Sequence, residues 1–421
     1  MRNKHFSLAF TALLFVACGT SQPQTTQNAV ERDLTPYSTS KELETISTAN
    51  NHLAFDIYNY FQTNDKNHFS SSYSIFNLLG MLSAGAAGET QEQMFSAMHL
   101  SAQNTQDIHR QFNALDMQFS RSSGSFEVAI ANALWIQKGY HVKQDFLDTI
   151  TQNHGASTHQ LDFKANTTHA QERINNWTDI TTDGKIKDLI TPNAINQNTK
   201  MVLTNAIHLK AKWTNSFAQQ NTLYKNFTKT DGEVIQVPTM HQKAVFRHKN
   251  IDGTDLLCMH YKDSDYRLLS IMPALGEFEK FENNLNLESF RHILKDPITD
   301  EINLEEKEIN LYYPKYEFEN TVNMVAPLKM HGMQLAFSKN ADFSSITNDA
   351  SLNISQIIQK TFFKVDEEGT EAATTSALAL GTTSKADFTL RFNRPFLFVL
   401  CHEPTKTILF LGRVMNPLQT K

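Results

Sequence analysis

Apolar residues first settle into a helical rhythm between Lys41 and Gln62. Leu53, Ala54, Ile57, Tyr58 and Phe61 share one face, with Leu43 and Ile46 leading in, so this stretch predicts an amphipathic helix. Phe55 falls off that stripe and marks a second covered side. Ile75 to Leu82 is apolar all round, which predicts a buried helix ended near Gly85 and Gly88. Thr90 and Gln93 have the spacing of a capping box, and Met94, Phe95 and Met98 supply an apolar face behind them. At Phe126 the period changes: Phe126, Val128, Ile130, Leu134 and Ile136 alternate with alanines at 129, 131 and 133, a strand with one bulky and one closely covered face. A helix is expected through Val142, Phe146 and Ile150, and a second buried strand over Met201 to Leu209. Short strands follow over Val234 to Met240, Leu256 to Tyr261, Arg267 to Met272 and Ile309 to Tyr313. Asn320 to Met330 reads as a helix ended by Gly332. Phe388 to Leu400 and Thr407 to Leu411 read as a buried hairpin joined by Glu403-Pro404-Thr405.

The length, 421 residues, allows one large domain or two ordinary ones, and no internal repeat divides it. An apolar share of 40% supports a sizeable core, and a net charge of −6 argues against a polyanion partner. No basic tract with interleaved aromatics points to nucleic acid. Residues 1–17 pair a short basic start with an apolar run too short to span a membrane, and Phe15-Val16-Ala17-Cys18 has the form of a bacterial lipoprotein signal. On that reading Cys18 carries the lipid, residues 18–40 are a disordered tether, and the protein sits on a bacterial envelope membrane, facing the periplasm or the cell surface. Phe15 stands where such signals usually have Leu, and an ordinary secretory signal is the competing reading. Cys258 and Cys401 lie inside apolar runs, where a free thiol behaves as a small hydrophobe.

One stretch fits neither core nor ordinary surface. Lys364 to Pro395, KVDEEGTEAATTSALALGTTSKADFTLRFNRP, opens on Glu367, Glu368 and Gly369 and then runs through small residues. Between Thr370 and Thr383 there is no Pro, and Glu371 is the one charge. Laid out as a strand, one face carries Thr370, Ala372, Thr374, Ser376, Leu378 and Leu380, with Glu371 on the other. Such a segment can live as a loop and still become a central strand, since strand interiors exclude Pro and penalise unpaired charge. By composition alone it also reads as a flexible linker or a frayed helix.

EEGTEAATTS followed by FNRPFLFVL resembles the reactive loop and C-terminal signature of serpins, and further segments agree: NHFSSSYSI, MVLTNAIHLKAKW, and LFLGRVMNP near the end. The resemblance spans about residues 45 to 418 and implies an α+β serpin fold, mixed sheets surrounded by helices, as one domain over 41–418 with a reactive loop at 367–392. It implies a hinge made of Glu367, Glu368, Gly369, Thr370, Ala372 and Ala373. It implies a sheet-opening cluster of Ser71, Ser74, Asn205 and Gln359, the last standing where the family commonly has His; Gln can donate and accept, without the pH response of His. It implies a group at the top of the main sheet made of Trp213, Lys315 and Glu367, the last two paired.

Neither H-E-x-x-H, G-x-S-x-G nor a Walker-type glycine loop is present, and His154 and His159, the closest spaced histidine pair, read as surface residues. No metal or other cofactor is expected. In the serpin reading the partner, a serine or cysteine protease, brings the catalytic group. It attacks the loop, and the loop inserts into the main sheet; serpin insertion is a standard example of strand addition. Counting from Gly369 by the family's usual spacing assigns the bond to Thr383-Ser384, while counting back from Pro395 points one residue later, to Ser384-Lys385. A small residue before it suits elastase-like or subtilisin-like enzymes, while cleavage after Lys385 would bring in trypsin-like ones. Thr370 is expected to be the first side chain that insertion buries. The chain is expected to be a monomer. Two rivals remain at this level: a non-inhibitory serpin-fold binding protein on the cell surface, and an unrelated ligand-binding lipoprotein with the loop as a linker.

Overall fold

The computed structural model describes residues 30–62, 66–101, 105–119, 126–182, 184, 186–293, 304–349, 351–370 and 388–419. The helices are α1 Ser40–Tyr60, α2 Ser72–Ser83, α3 Gly88–Ala97, α4 Thr105–Phe119, α5 Gln144–His154, α6 Thr167–Thr181, α7 Phe278–Asn283, α8 Leu287–Ile293 and α9 Val325–Met330. The strands are β1 His68–Ser70, β2 Phe126–Gln137, β3 Ser157–Leu161, β4 Met201–Lys212, β5 Leu223–Thr228, β6 Val234–Ile251, β7 Thr254–His260, β8 Tyr266–Met272, β9 Glu305–Pro314, β10 Tyr316–Asn323, β11 Gln356–Val365, β12 Gly369–Thr370, β13 Thr389–Arg391, β14 Phe396–His402 and β15 Thr407–Val414.

These strands form two mixed sheets. One runs β10-β11-β4-β2-β3, with β12 also on β4; the other runs β1-β15-β14-β8-β7-β6-β9-β13, with β5 on β6. At the centre of the first sheet β11 lies parallel to β4, while β2 lies antiparallel to β4 along its other edge. The main core fills the space between the sheets and under α2, which is buried along its whole length: its apolar side chains pack into the core, and its buried Ser74, Asn77 and Ser83 are satisfied by hydrogen bonds. A second cluster packs Ala54, Phe55 and Tyr58 of α1 with α7 and α8 against β7, β8, β14 and β15, so the off-stripe Phe55 does mark a second covered side. A third lies on the outer face of the first sheet, where Ala170 and Ile174 of α6 cover Trp135, Val202 and Ile358. Long alternating runs thus became strands paired on both edges, and the all-apolar run became the helix between sheets.

Several local expectations change. Asn320 to Met330 is not one helix: Tyr316 to Asn323 pairs antiparallel with β11 along its length, and only Val325–Met330 is helical. Tyr316, Phe318 and Val322 alternate into the core, and the ladder offered by β11 outweighs local preference. The Thr90/Gln93 capping box is absent. Ala87 precedes the helix with no side-chain cap, Thr90 Oγ1 accepts from the Asp342 amide at 2.9 Å, and Gln93 Oε1 accepts from the Gln334 and Leu335 amides. A capping box does close the start of α1, where Thr39 and Glu42 bond reciprocally. Val142 lies before α5 rather than in it. The expected hairpin from 388 is two pieces, because β13 pairs parallel with β9 while β14 forms the hairpin with β15.

Residues 32–39, which the sequence assigns to a disordered tether running to 40, make defined contacts with the helices. Asp33 donates its amide to the Gln152 carbonyl, Arg32 Nε donates to Asn113 Oδ1 at 3.1 Å, and Arg32 forms an ion pair with Asp116. Arg110 pairs with Glu42 at 2.8 Å. Residues 32–42 therefore strap across α4 and α5, held by polar contacts that a composition rich in Ser, Thr and Pro does not reveal.

Candidate functional site

The first sheet is split at one end. Pairing of β11 with β4 runs through six register pairs, from Gln356↔Val202 to Thr361↔Ile207. Above them the same edge of β4 is taken by β12, with Thr370 opposite Ala211 and Gly369 opposite Lys212, antiparallel. The chain leaves β11 at Val365, turns over, and comes back down beside β4. Asp366 makes the turn: its carboxylate accepts from the Glu368 and Gly369 amides at 3.0 and 3.3 Å, and its own amide donates to the Gly369 carbonyl. Gly369 is required by the close approach. A Cβ there would sit 1.8 Å from the Ala211 carbonyl oxygen.

Trp213 clamps this turn. Its indole donates to the Asp366 carbonyl at 2.9 Å, its amide donates to the Glu368 carbonyl at 2.8 Å, and its ring stacks on Tyr261 at 4.6 Å. The Tyr261 hydroxyl in turn lies 2.8 Å from Thr370 Oγ1. Thr370 is 0% exposed, so the side chain expected to be the first buried during insertion is already buried in this state. The reason is physical. A threonine is small and brings one hydroxyl, and Tyr261 supplies its partner, so seating it leaves no polar group orphaned.

Lys315 and Glu367 lie together, Nζ to Oε2 at 2.7 Å, with the Thr222 hydroxyl donating to Glu367 Oε1 at 2.6 Å and the Phe217 amide to its carbonyl. Burial by itself pushes the Glu367 carboxyl up. The Lys315 ammonium and the Thr222 hydroxyl outweigh it and hold the group below the usual range. Trp213, Lys315 and Glu367 thus meet at the same end of the sheet as the hinge.

Midway down the β4–β11 seam, Gln359 and Asn205 are register partners. Gln359 Nε2 donates to Asn205 Oδ1 at 3.2 Å, to Ser74 Oγ at 2.9 Å and to the Ser71 carbonyl at 2.9 Å, while its Oε1 accepts from the Ser71 amide. Ser74 Oγ donates to Asn205 Oδ1 at 2.6 Å, and Ser71 caps α2 by accepting from the Ser74 amide. All four side chains are fully buried, with hydrogen bonds on each. The structure therefore brings Ser71, Ser74, Asn205 and Gln359 into one network that ties α2 to both strands of the seam. Strands lie about 4.8 Å apart in a ladder. Anything added between β4 and β11 doubles that spacing and breaks the Gln359–Asn205 bond.

Ala372, Ala373, Thr383, Ser384 and Cys18 lie outside the described residues. The sequence reading missed Asp366, Tyr261 and Thr222, and also Asn132, whose Oδ1 accepts from Asn205 Nδ2 at 2.7 Å. Nothing local distinguishes these four; only the fold brings them to the seam. His154 is a correction: it is buried, with Nε2 3.1 Å from His109 Nδ1, whereas His159 stacks on Trp135. A histidine pair five residues apart, off one helical face, suggests surface residues, but His154 closes the end of α5 against α4. Among the described residues no group of His, Cys, Asp or Glu could hold a metal ion.

A family model described as Serpin (serine protease inhibitor) matches residues 48–417. An uncharacterized serpin-like protein of Thermococcus kodakarensis is 33% identical over 390 residues, covering 91% of this chain and 89% of its own. The leukocyte elastase inhibitor of Sus scrofa is 31% identical over 387 residues, covering 89% of this chain and all of its own. Among solved structures, human thyroxine-binding globulin complexed with thyroxine superposes with a TM-score of 0.82 at 30% identity, over 90% of this chain and 100% of that one.

Proposed function

The chain belongs to the serpin family, whose members are generally protease inhibitors rather than enzymes, and from that premise we propose that it traps proteases as a suicide substrate. The observation that carries this reading is the seated hinge. Gly369 and Thr370 already occupy the β11-facing edge of β4, so the next residues need only continue the same strand. With Thr370 facing inward, period 2 turns Ala372, Thr374, Ser376, Leu378 and Leu380 to the same side, and none carries a charge. The hinge of this chain is therefore Glu367 to Ala373.

A serine or cysteine protease supplies the nucleophile. It adds to the Thr383 carbonyl, the Ser384 amine leaves with a proton from the protease's own acid, and Thr383 remains as the acyl group on the enzyme. The freed segment then zips down the seam. Fourteen residues from Thr370 to Thr383 span about 46 Å at ~3.3 Å each, which carries the acylated protease from one end of the sheet to the other. The six β4–β11 pairs part, Gln359 and Asn205 separate, and a full strand of hydrogen bonds with Leu378 and Leu380 buried offsets the loss. The small residue at 383 favours elastase-like or subtilisin-like targets, and the relative from Sus scrofa is named as an elastase inhibitor.

The test is a clean single cut between Ser376 and Ser384, followed by thermal melting. Insertion adds a central strand, so the cut form should melt on the order of tens of degrees higher. A cut chain with an unchanged melting temperature excludes insertion, whatever the fold. Cys18 is proposed to anchor the domain to an envelope membrane through its lipid. Cys18→Ser should move the protein to the soluble fraction, and a variant that stays membrane-bound refutes the anchor.

A further inference from the structure

On the other flank of the loop, β5, β6, β9 and β13 leave a recess of about 380 Å³. Its walls include Tyr224, Lys225, Gln236, Tyr312, Arg391 and Asn393, and no Asp or Glu is among the described residues that line it. Two cations lean on one ring there. The Arg391 guanidinium lies 4.9 Å and the Lys225 ammonium 6.0 Å from the centre of Tyr312. Tyr312 is held in place by register pairing with both His241 and Arg391 and by stacking on His241 at 4.4 Å. Tyr224, 69% exposed, adds an aromatic side chain to the lining.

Position gives the recess its meaning. Arg391 lies eight residues past Thr383, so at ~3.3 Å per residue it is within about 26 Å of the bond assigned to attack. A protease domain of ~250 residues has a radius of gyration of about 18 Å, so one seated on the loop overhangs the recess. The backbone here is fixed, with the Phe392 amide donating to the Tyr312 carbonyl at 2.9 Å and the Thr228 amide to the Asn393 carbonyl at 2.8 Å. Two exposed cations beside an aromatic ring on a fixed backbone, with no carboxylate among the described lining residues, complement an acidic group.

We propose that this recess is a second docking site for the target protease, taking an acidic surface segment of the protease body while its active site holds the loop. The proposal rests on the inhibitory reading above. It makes Lys225 and Arg391 determinants of which protease is met fast. They act on the encounter and leave the later race between insertion and hydrolysis untouched.

The experiment measures second-order inhibition rates for wild type and for Lys225→Glu/Arg391→Glu against a protease panel, at low and high salt. A synthetic peptide of residues 364–388, which carries neither Lys225 nor Arg391, serves as a substrate control that lacks the recess. With a protease that wild type traps, the rate should fall about tenfold in about 50 mM salt and the gap should close near 1 M, where charges are screened within about 3 Å. Stoichiometry of inhibition and melting temperature should not move. If the double variant melts lower, Lys225→Gln/Arg391→Gln decides the same question without charge reversal. Equal rates at low salt across every trapped protease overturn the proposal. So does loss of retention on a heparin column with unchanged rates, which would give the recess to a soluble polyanion instead. A wild type that forms no covalent band with any protease instead fails the parent reading, and the docking proposal falls with it.

Discussion

At the scale of single residues, Thr370 decides most. It is buried against Tyr261 on β12, at the start of the path proposed for insertion. Thr370→Arg cannot keep that seat, because an unpaired cation under the sheet costs several kcal/mol even after relaxation. Each ~1.4 kcal/mol on the insertion barrier slows it about tenfold, so hydrolysis of the acyl-enzyme should win and the variant should be cut as a plain substrate. Glu371→Arg, on the outward face by the strand period, should inhibit nearly as wild type. The measurement is the number of inhibitor molecules consumed per protease inactivated; an unchanged value for Thr370→Arg contradicts the strand placement. Gln359 makes the complementary case. It fills its site with a donor and an acceptor and satisfies both, so a residue that departs from the family's common His still closes the network.

At the scale of elements, packing sets a pH response. His68 on β1, His109 on α4 and His154 at the end of α5 are held neutral by burial, His68 down to about 3, His109 to about 4, and His154 well below its usual 6.5. The groups facing the α4–α5 pair include Arg32 of the strap, whose charge opposes a proton on His154. The unfolded chain takes up protons below pH 6.5 that the native fold refuses, so stability falls as pH drops from 6.5 toward 4. Each such proton is worth about 1.4 kcal/mol per pH unit. Glu367, held below its usual range, adds to the loss at the acid end of that window. Melting temperature followed from pH 7.5 to 4.5 should decline steeply, and His109→Gln/His154→Gln should flatten the slope; a flat wild-type curve contradicts the burial assignment. The sequence exposed much of this architecture because period 2 and period 3.6 stand out in β2, β4 and α1. It hid what depends on partners: β10 looked helical until β11 offered a ladder, and His154 looked exposed until α4 covered it. The seam network was legible only through resemblance, since two serines, an asparagine and a glutamine carry no pattern until two strands and a helix meet.

At the scale of the molecule, the two ends of the loop region do different work. The hinge end, with Asp366, Trp213 and Tyr261, holds the first inserted rung ready, and the β13 end offers a cationic recess to whatever sits on the loop. Between them the seam is closed by six register pairs and one buried network, which the proposed insertion would have to open and then replace with a full strand. On the suicide-substrate reading proposed above, a native fold built this way keeps stability in reserve, to be released when the loop is cut. The most direct measurement of that claim is incubation with elastase-like, subtilisin-like and trypsin-like proteases, resolved on a denaturing gel. The expected result is a covalent band at the summed mass of inhibitor and protease, with protease activity lost in step with its appearance. Complete cleavage near Thr383 with fully active protease and no such band would contradict it.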